Sequence, residues 1–125
     1  MKKILIVEDE KILLKDLADK FTKEGFEVIT AGDGQAGLNV AIQNHPDLIL
    51  LDIVMPIMDG MTMLYQLRKD EWGKTVEVIL LTNLSDSDKI ADSYLEDVHD
   101  YLVKSDWTLD DIVAKVKAKL TPTSP

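Results

Sequence analysis

Four consecutive apolar residues, 48–51, stand between two aspartates, Asp47 and Asp52. The run is too short for a helix, and it lacks the polar residues that a strand with one face in water carries. It therefore predicts a strand over residues 47–52 that is buried on both faces, as the central strands of parallel sheets are. Such a sheet needs helices on both sides, which the rest of the chain has to provide.

Short apolar runs alternate with helical patterns along the whole chain. Leu13, Leu17 and Phe21, for example, recur at helical spacing before Gly25. Five strands alternating with five helices imply right-handed βαβ connections and a parallel sheet with helices on both faces. The predicted strands are residues 3–7, 26–30, 47–52, 76–81 and 101–103; the predicted helices run from residue 10 to Gly25, from Asp33-Gly34 to 44–46, from Asp59-Gly60 to near Trp72, from 85–88 through Leu95, and over 109–120.

The chain has room for one domain. At 125 residues it can bury one core but not two ordinary ones. No linker or repeat interrupts the alternation, so residues 1–120 are predicted to form this single domain. Residues 121–125, which consist of threonine, serine and proline, have the composition of a flexible tail or the start of a linker.

Composition narrows the classes of site and partner. The chain has no cysteine, which excludes disulfides, thiolate metal sites and thiol nucleophiles. Its net charge of −9 opposes binding to nucleic acid, and no basic cluster offsets it, so protein partners are expected. No apolar stretch is long enough to span a membrane, and Glu8, Asp9 and Glu10 end the first apolar run before a signal peptide could form. A cytoplasmic location is therefore expected.

Side chains able to do chemistry follow the predicted strands at the point where each strand ends. In open parallel sheets, functional groups gather at the carboxyl ends of the strands. This rule selects Glu8 and Asp9 after the first strand, Asp52 at the end of the third, Thr82 after the fourth and Lys104 after the fifth. The predicted site thus combines three carboxylates, one hydroxyl and one amine.

Three carboxylates at one edge repel each other. A pair of like charges ~4 Å apart costs about 4 kcal/mol at an effective dielectric constant near 20. A hard divalent cation offsets this cost, and Mg²⁺ typically takes one or two carboxylates together with water and phosphate oxygens. With the cation and Lys104 neutralising charge, one carboxylate can attack a phosphoryl donor and become an aspartyl phosphate, while Thr82 donates a hydrogen bond to a phosphoryl oxygen.

Motifs at the ends of four predicted strands resemble those of response-regulator receiver domains, and the resemblance covers essentially the whole chain. The motifs are ILIVEDE at residues 4–10, PDLILLD at 46–52 followed by Met55-Pro56 and Asp59-Gly60, LLT at 80–82, and DYLVK at 100–104. The resemblance implies an α/β, flavodoxin-like (βα)5 three-layer sandwich with five parallel strands in the order 2-1-3-4-5. That order follows from the resemblance, since the spacing of the motifs does not determine it.

The resemblance also implies a phosphorylation site and its metal ligands. Asp52 is expected to accept a phosphoryl group from a sensor histidine kinase or a phosphotransfer protein of a two-component system. Mg²⁺, with Mn²⁺ as a substitute, is expected to be held by Glu8, Asp9, Asp52 and the backbone carbonyl of Val54. A protein of this kind takes part in its own phosphoryl transfer without being a turnover enzyme.

A conformational switch is the third implication of the resemblance. Thr82 and Lys104 are expected to bind the phosphoryl group, and Tyr101 to turn inward when Thr82 moves. The face formed by the fourth predicted helix, the fifth strand and the last helix would then change its affinity for a downstream protein, for a fused output domain or for a second copy in a phosphorylation-dependent homodimer. Neither nucleic acid nor membrane is an expected partner of this domain itself.

Several residues depart from the commonest pattern of the family. Ser105 replaces the usual proline after Lys104, which removes the ordinary reason for a cis peptide bond there. Asn83 stands where a smaller residue is more usual and is expected to narrow the entrance for phosphodonors. Val54 and Leu84 are apolar at positions where polar groups could orient an attacking water, so self-dephosphorylation is expected to be slow.

Three other functions compete with this interpretation, and the residues count against two of them. A phosphohydrolase that uses an aspartyl phosphate needs an acid-base carboxylate two residues after the nucleophile, where this chain has Val54. A dinucleotide-binding domain needs G-x-G-x-x-G after the first strand, and the motif is absent. A receiver-like scaffold that never takes phosphate remains the alternative, because Asn83 and Ser105 depart from the usual pattern while the pocket residues are all present.

Overall fold

The computed structural model describes residues 1–82 and 100–120, and these form one parallel sheet with helices on both faces. The sheet order is β2-β1-β3-β4-β5, and each neighbouring pair of strands is parallel. The predicted α/β class and the order 2-1-3-4-5 are confirmed. In chain order the elements are β1 (Lys3–Val7), α1 (Lys11–Lys23), β2 (Glu27–Ala31), α2 (Gly34–Asn44), β3 (Leu48–Asp52), α3 (Gly60–Arg68), β4 (Glu77–Thr82), β5 (Asp100–Val103) and α4 (Leu109–Leu120).

The core consists of two apolar layers, one on each face of the sheet. Helices α2 and α3 cover one face, where Leu5, Ile49 and Leu51 point. Helices α1 and α4 cover the other face and pack on the alternate strand residues, such as Ile4 and Leu50. Because β3 is buried along its full length, both faces of the sheet are closed to water, as the apolar run between Asp47 and Asp52 predicted.

Most predicted elements are present, with small shifts at their ends. Strands β2, β3 and β4 each begin one residue later than predicted, and β5 begins one residue earlier. Of the described helices, none is both long and apolar enough to cross a membrane. The helix predicted from 85–88 through Leu95 and the tail predicted at 121–125 lie outside the described residues.

Helix α3 ends at Arg68, earlier than the predicted end near Trp72. The Arg68 guanidinium donates to the carbonyl oxygens of Gly73 at 2.7 Å and Val76 at 2.9 Å. The amide of Gly73 donates to the Asp70 carboxylate at 3.0 Å. These bonds stabilise a turn where a further helical turn was predicted, so the prediction of the helix end was wrong.

The parallel pairing brings the carboxyl ends of the strands to one edge of the sheet. Val7 lies beside Leu51, and Asp52 lies beside Leu81. Thr82 lies beside Val103 in turn. Residues that follow these strands are therefore neighbours along this edge, which is where the predicted site residues were placed.

The first residue of α3 touches this edge through its backbone. The amide of Gly60 donates to the carbonyl of Ile53 at 2.7 Å. A Cβ atom at Gly60 would collide with the carbonyl oxygen of Asp52 and would lie 3.0 Å from the Ile53 Cα. Glycine thus allows α3 to begin directly against the end of β3.

We expect Gly60→Ala to destabilise the protein because α3 would have to move away from the backbone of β3. The expected loss is about 2 kcal/mol, in the range found for atoms inserted into well-packed sites. Gly32→Ala is the matched control, since a Cβ there meets no atom within 4 Å. Urea denaturation of both variants measures the free energy of unfolding, and equal effects of the two substitutions would contradict the packing argument.

Candidate functional site

The predicted carboxylates lie together at the carboxyl edge of the sheet. Glu8 follows β1, and its side chain is fully buried. Asp52 ends β3 and is 4% exposed, while Asp9 is exposed at the mouth of the pocket. One ligand oxygen from each of the three lies within 4.8 Å of the others. The predicted proximity of the three carboxylates is therefore confirmed.

Lys104 reaches into this cluster from the loop after β5. Its Nζ lies 2.7 Å from Oε1 of Glu8 and 3.2 Å from Oδ1 of Asp52. Its amide donates to the carbonyl of Thr82 at 2.8 Å, which ties the loop to the end of β4. The peptide bond between Lys104 and Ser105 is trans, as are the other peptide bonds of the described residues. A lysine followed by serine therefore still reaches the carboxylates.

The electrostatics of the cluster follow from its burial. Burial and the neighbouring Glu8 carboxylate raise the pKa of Asp52 from its ordinary value of 3.8 to about 7, although Lys104 acts in the opposite direction. Burial by itself would lower the pKa of Lys104, but Glu8 and Asp52 outweigh it, so that this pKa is raised. The lysine thus stays charged, whereas the Asp52 carboxyl group takes up a proton near pH 7.

The arrangement fits a divalent cation. Oε2 of Glu8 accepts a hydrogen bond from the amide of Glu10 at 3.1 Å, which fixes the orientation of the carboxylate. Its other oxygen, Oε1, is buried and makes no hydrogen bond of acceptable geometry with the described part of the chain, although Lys104 Nζ is close. The single positive charge of Lys104 is shared between this oxygen and Asp52 Oδ1 at 3.2 Å, so the cluster keeps negative charge that a divalent cation could neutralise. Oxygen ligands from three carboxylates are the type that Mg²⁺ and Mn²⁺ take.

The remaining predicted residues surround the pocket at different depths. Thr82 is fully buried at the end of β4. Tyr101 is 42% exposed on β5, so its ring lies partly in solvent in this structure. Val54 is 54% exposed on the loop after β3. Asn83 and Leu84 lie outside the described residues, so the expectations for them stay predictions.

Sequence reasoning missed the glycines that bring the surrounding backbone close. Gly34 begins α2 and Gly60 begins α3, and both are buried. Each follows an aspartate whose side chain caps its helix, Asp33 on the amide of Ala36 and Asp59 on the amide of Thr62. The two Asp-Gly pairs were the available signal, but they were used only to place the starts of the two helices.

Trp107, two residues before α4, is 39% exposed. It lines a cavity of about 340 Å³ beside Lys104, between α1 and the start of α4. Leu13 and Ile112 line the apolar part of this cavity. The cavity adjoins the carboxylate cluster through Lys104, and the sequence offered no signal for it.

Three comparisons with known proteins agree with this geometry. The family model described as the response regulator receiver domain matches residues 4–117. The transcriptional regulatory protein PrrA of Mycobacterium tuberculosis is 38% identical over 118 residues, which are 94% of this chain and 49% of that protein. The chain spans about half the length of the curated relatives that it matches, with 46% and 53% in two further cases.

Solved structures show the same fold over nearly the whole chain. The chemotaxis protein CheY4 of Vibrio cholerae superposes with a TM-score of 0.88 at 25% identity, covering 96% of this chain and 99% of that one. A chain of the CheX-CheY-BeF3-Mg²⁺ complex of Borrelia burgdorferi superposes with a TM-score of 0.85 at 28% identity, covering 97% of this chain and 90% of that one. With its parallel sheet, its three carboxylates and its lysine, this chain belongs to the family of response regulator receiver domains, the receiving modules of two-component signal transduction.

Proposed function

We propose that Asp52 is the phosphoacceptor of this receiver domain and that its phosphorylation, dependent on Mg²⁺, switches the binding of a partner protein. The observation that carries the proposal is the position of Asp52. Its carboxylate lies at the carboxyl end of the central strand, 4% exposed, with Glu8 and Asp9 on one side and Lys104 Nζ at 3.2 Å. Acidic clusters of this kind are where receiver domains bind Mg²⁺.

The proposed reaction is a transfer between two side chains. An oxygen of Asp52 attacks the phosphorus of a phosphohistidine on a histidine kinase or phosphotransfer protein. The new bond is O–P, the bond that breaks is N–P, and the departing imidazole takes up a proton. Lys104 would pair with a phosphoryl oxygen, and the Thr82 hydroxyl would donate to another.

Glu8, Asp9, Asp52 and the carbonyl of Val54 would hold the cation in this proposal. When bound, Mg²⁺ supplies the positive charge that offsets the carboxylates and the incoming phosphoryl group. The similar chain from Borrelia burgdorferi is part of a complex described as containing BeF3 and Mg²⁺, which supports this assignment. Mn²⁺ accepts the same oxygen ligands and would replace Mg²⁺. Self-dephosphorylation is expected to be slow, because the apolar side chain of Val54 cannot orient an attacking water by a hydrogen bond. This stays a prediction.

The proposed switch runs from Thr82 to Tyr101 on the neighbouring strand. Thr82 lies fully buried at the end of β4, and β5 pairs with β4 so that Tyr101 lies beside Leu80. Tyr101 is 42% exposed in this structure, which is the outward position that the ring would leave when Thr82 moves toward a phosphoryl group. Phosphorylation would bias this two-state equilibrium, and partner affinity would change by the difference between the states.

The proposed partners dock on the face that contains β5 and α4. A downstream protein, a fused output domain or a second copy would sense the position of Tyr101 there. The relative from Mycobacterium tuberculosis is named a transcriptional regulatory protein and is about twice as long as the matched region. That comparison favours an output domain that regulates transcription.

We expect incubation with Mg²⁺ and acetyl phosphate to add one phosphoryl group to the wild type and none to Asp52→Asn. The reason is that an amide oxygen at that position is a poor nucleophile. Asp47→Asn is the matched control, because it changes the exposed aspartate just before the same strand and should leave phosphorylation unchanged. Intact mass spectrometry measures the gain.

Two outcomes of that experiment would contradict the proposal. A phosphoryl group on Asp52→Asn would mean that another residue is the acceptor. No gain in the wild type, from acetyl phosphate or from a phosphorylated histidine kinase, would favour the phosphate-independent scaffold.

In the absence of divalent cations, we expect Asp52→Asn to stabilise the protein, and more at pH 8 than at pH 5. The pKa of Asp52 is about 7 in the folded protein, above its ordinary value of 3.8, so the folded state keeps a proton that the unfolded state releases. Wild-type stability therefore falls as the pH rises from about 4 to about 7. Asparagine does not titrate, so the advantage of Asp52→Asn should grow by about 1–2 kcal/mol between pH 5 and pH 8 after allowance for solvent screening.

Urea denaturation in EDTA at the two pH values measures this difference. Asp47→Asn again serves as the control for the loss of one charge. An advantage of Asp52→Asn that shrinks as the pH rises would show that Asp52 is not destabilised by burial and by Glu8.

A further inference from the structure

The loop that joins β3 to α3, residues 53–59, has a strained backbone. Ile57 has a φ of 70°, a left-handed conformation that a β-branched residue rarely adopts. The amide of Met58 donates to the carbonyl of Pro56 at 2.7 Å, which closes a three-residue turn around Ile57. The Ile57 side chain is 83% exposed, so its own burial does not offset the strain. Contacts elsewhere on the loop must hold this conformation.

One such contact comes from Gly34, the first residue of α2. Its amide donates to the carbonyl of Met58 at 2.9 Å. A Cβ atom at Gly34 would collide with the Met58 carbonyl oxygen and would lie 2.9 Å from the carbonyl carbon. The start of α2 therefore contacts the backbone of Met58, the residue that closes the strained turn. Only glycine permits this close approach.

The start of α2 is itself fixed to the sheet, so it can act as a support. The Asp33 carboxylate accepts the amide of Ala36 at 2.8 Å and caps the helix. At the end of β2, the carbonyl of Ala31 accepts the amide of Glu8 at 3.1 Å. Gly34 is thus three residues from a strand end that is bonded to one of the carboxylate-bearing residues.

We propose that Gly34 is a positioning residue for the cation site. By holding Met58, it keeps the strained loop in the conformation that presents the Val54 carbonyl to the ion. This inference rests on the proposed function, in which that carbonyl is a ligand. A loop released from Gly34 would relax at Ile57 and carry Val54 away from the carboxylates, because the strained turn would no longer be held.

The test compares the Mg²⁺ dissociation constants of wild type, Gly34→Ala and Gly73→Ala by isothermal titration calorimetry. We expect Gly34→Ala to bind at least about tenfold more weakly, the lower end of the effect of supporting residues around metal sites. Gly73→Ala is the matched control. A Cβ there would collide with the Leu67 carbonyl oxygen in the same way, but in the turn after α3, away from the carboxylates. It should bind Mg²⁺ as the wild type does.

A second measurement uses the wild type alone and does not depend on a variant that folds. If the contact between Gly34 and Met58 favours Mg²⁺ binding, then Mg²⁺ binding must favour the contact to the same extent. Amide hydrogen exchange at Gly34 should therefore slow when Mg²⁺ saturates the site. Exchange at the amide of Gly73, which donates to Asp70, should not change.

The outcomes separate this inference from the proposed function. A wild type that binds no Mg²⁺ would overturn both. A wild type that binds Mg²⁺ while Gly34→Ala binds equally well would overturn only the role of Gly34. Equal weakening in Gly73→Ala would do so too, since the effect would then be one of general stability. If Gly34→Ala does not fold, unchanged exchange at Gly34 on addition of Mg²⁺ overturns the inference, and slowed exchange supports it.

Discussion

Repulsion among three carboxylates at one edge of the sheet is the constraint on which the rest of the site depends. Glu8 and Asp52 are buried there, and Asp9 lies at the mouth within 4.8 Å of both. Burial disfavours the charged form of Asp52, and the neighbouring Glu8 carboxylate adds to this effect, so the pKa of Asp52 rises to about 7. Lys104 offsets part of the repulsion but leaves Glu8 Oε1 without a well-oriented hydrogen bond. A divalent cation at this edge would offset the repulsion that Lys104 leaves.

The burial of β3 on both faces offsets the free-energy cost of the repulsion among the carboxylates. Two apolar layers, one under α2 and α3 and one under α1 and α4, stabilise the sheet against the charges that end its strands. Close backbone approaches at Gly34 and Gly60 then fix the loop after β3 beside the cluster. Stability and function are thus separated in space, because the core supplies the former and the carboxyl edge the latter.

The sheet could be predicted well from the sequence because its strands are short, almost entirely apolar runs. Such runs are too short to form helices and are typical of strands buried on both faces. The sequence also predicted that Glu8, Asp52 and Lys104 would meet, since parallel strands place their carboxyl ends at one edge. The end of α3 could not be predicted, because the Arg68 guanidinium bonds carbonyls that only the folded chain brings to it. The contact of Gly34 with the loop after β3 escaped prediction for the same reason: it joins residues far apart in sequence.

Anomalous X-ray scattering from crystals soaked in Mn²⁺ would show whether the carboxylate cluster binds a cation. We expect a single strong anomalous peak among the carboxylates of Glu8, Asp9 and Asp52, which disappears when excess Mg²⁺ competes. A soaked crystal with no peak in this cluster, or with manganese bound only elsewhere on the surface, would show that the cluster is not a cation site.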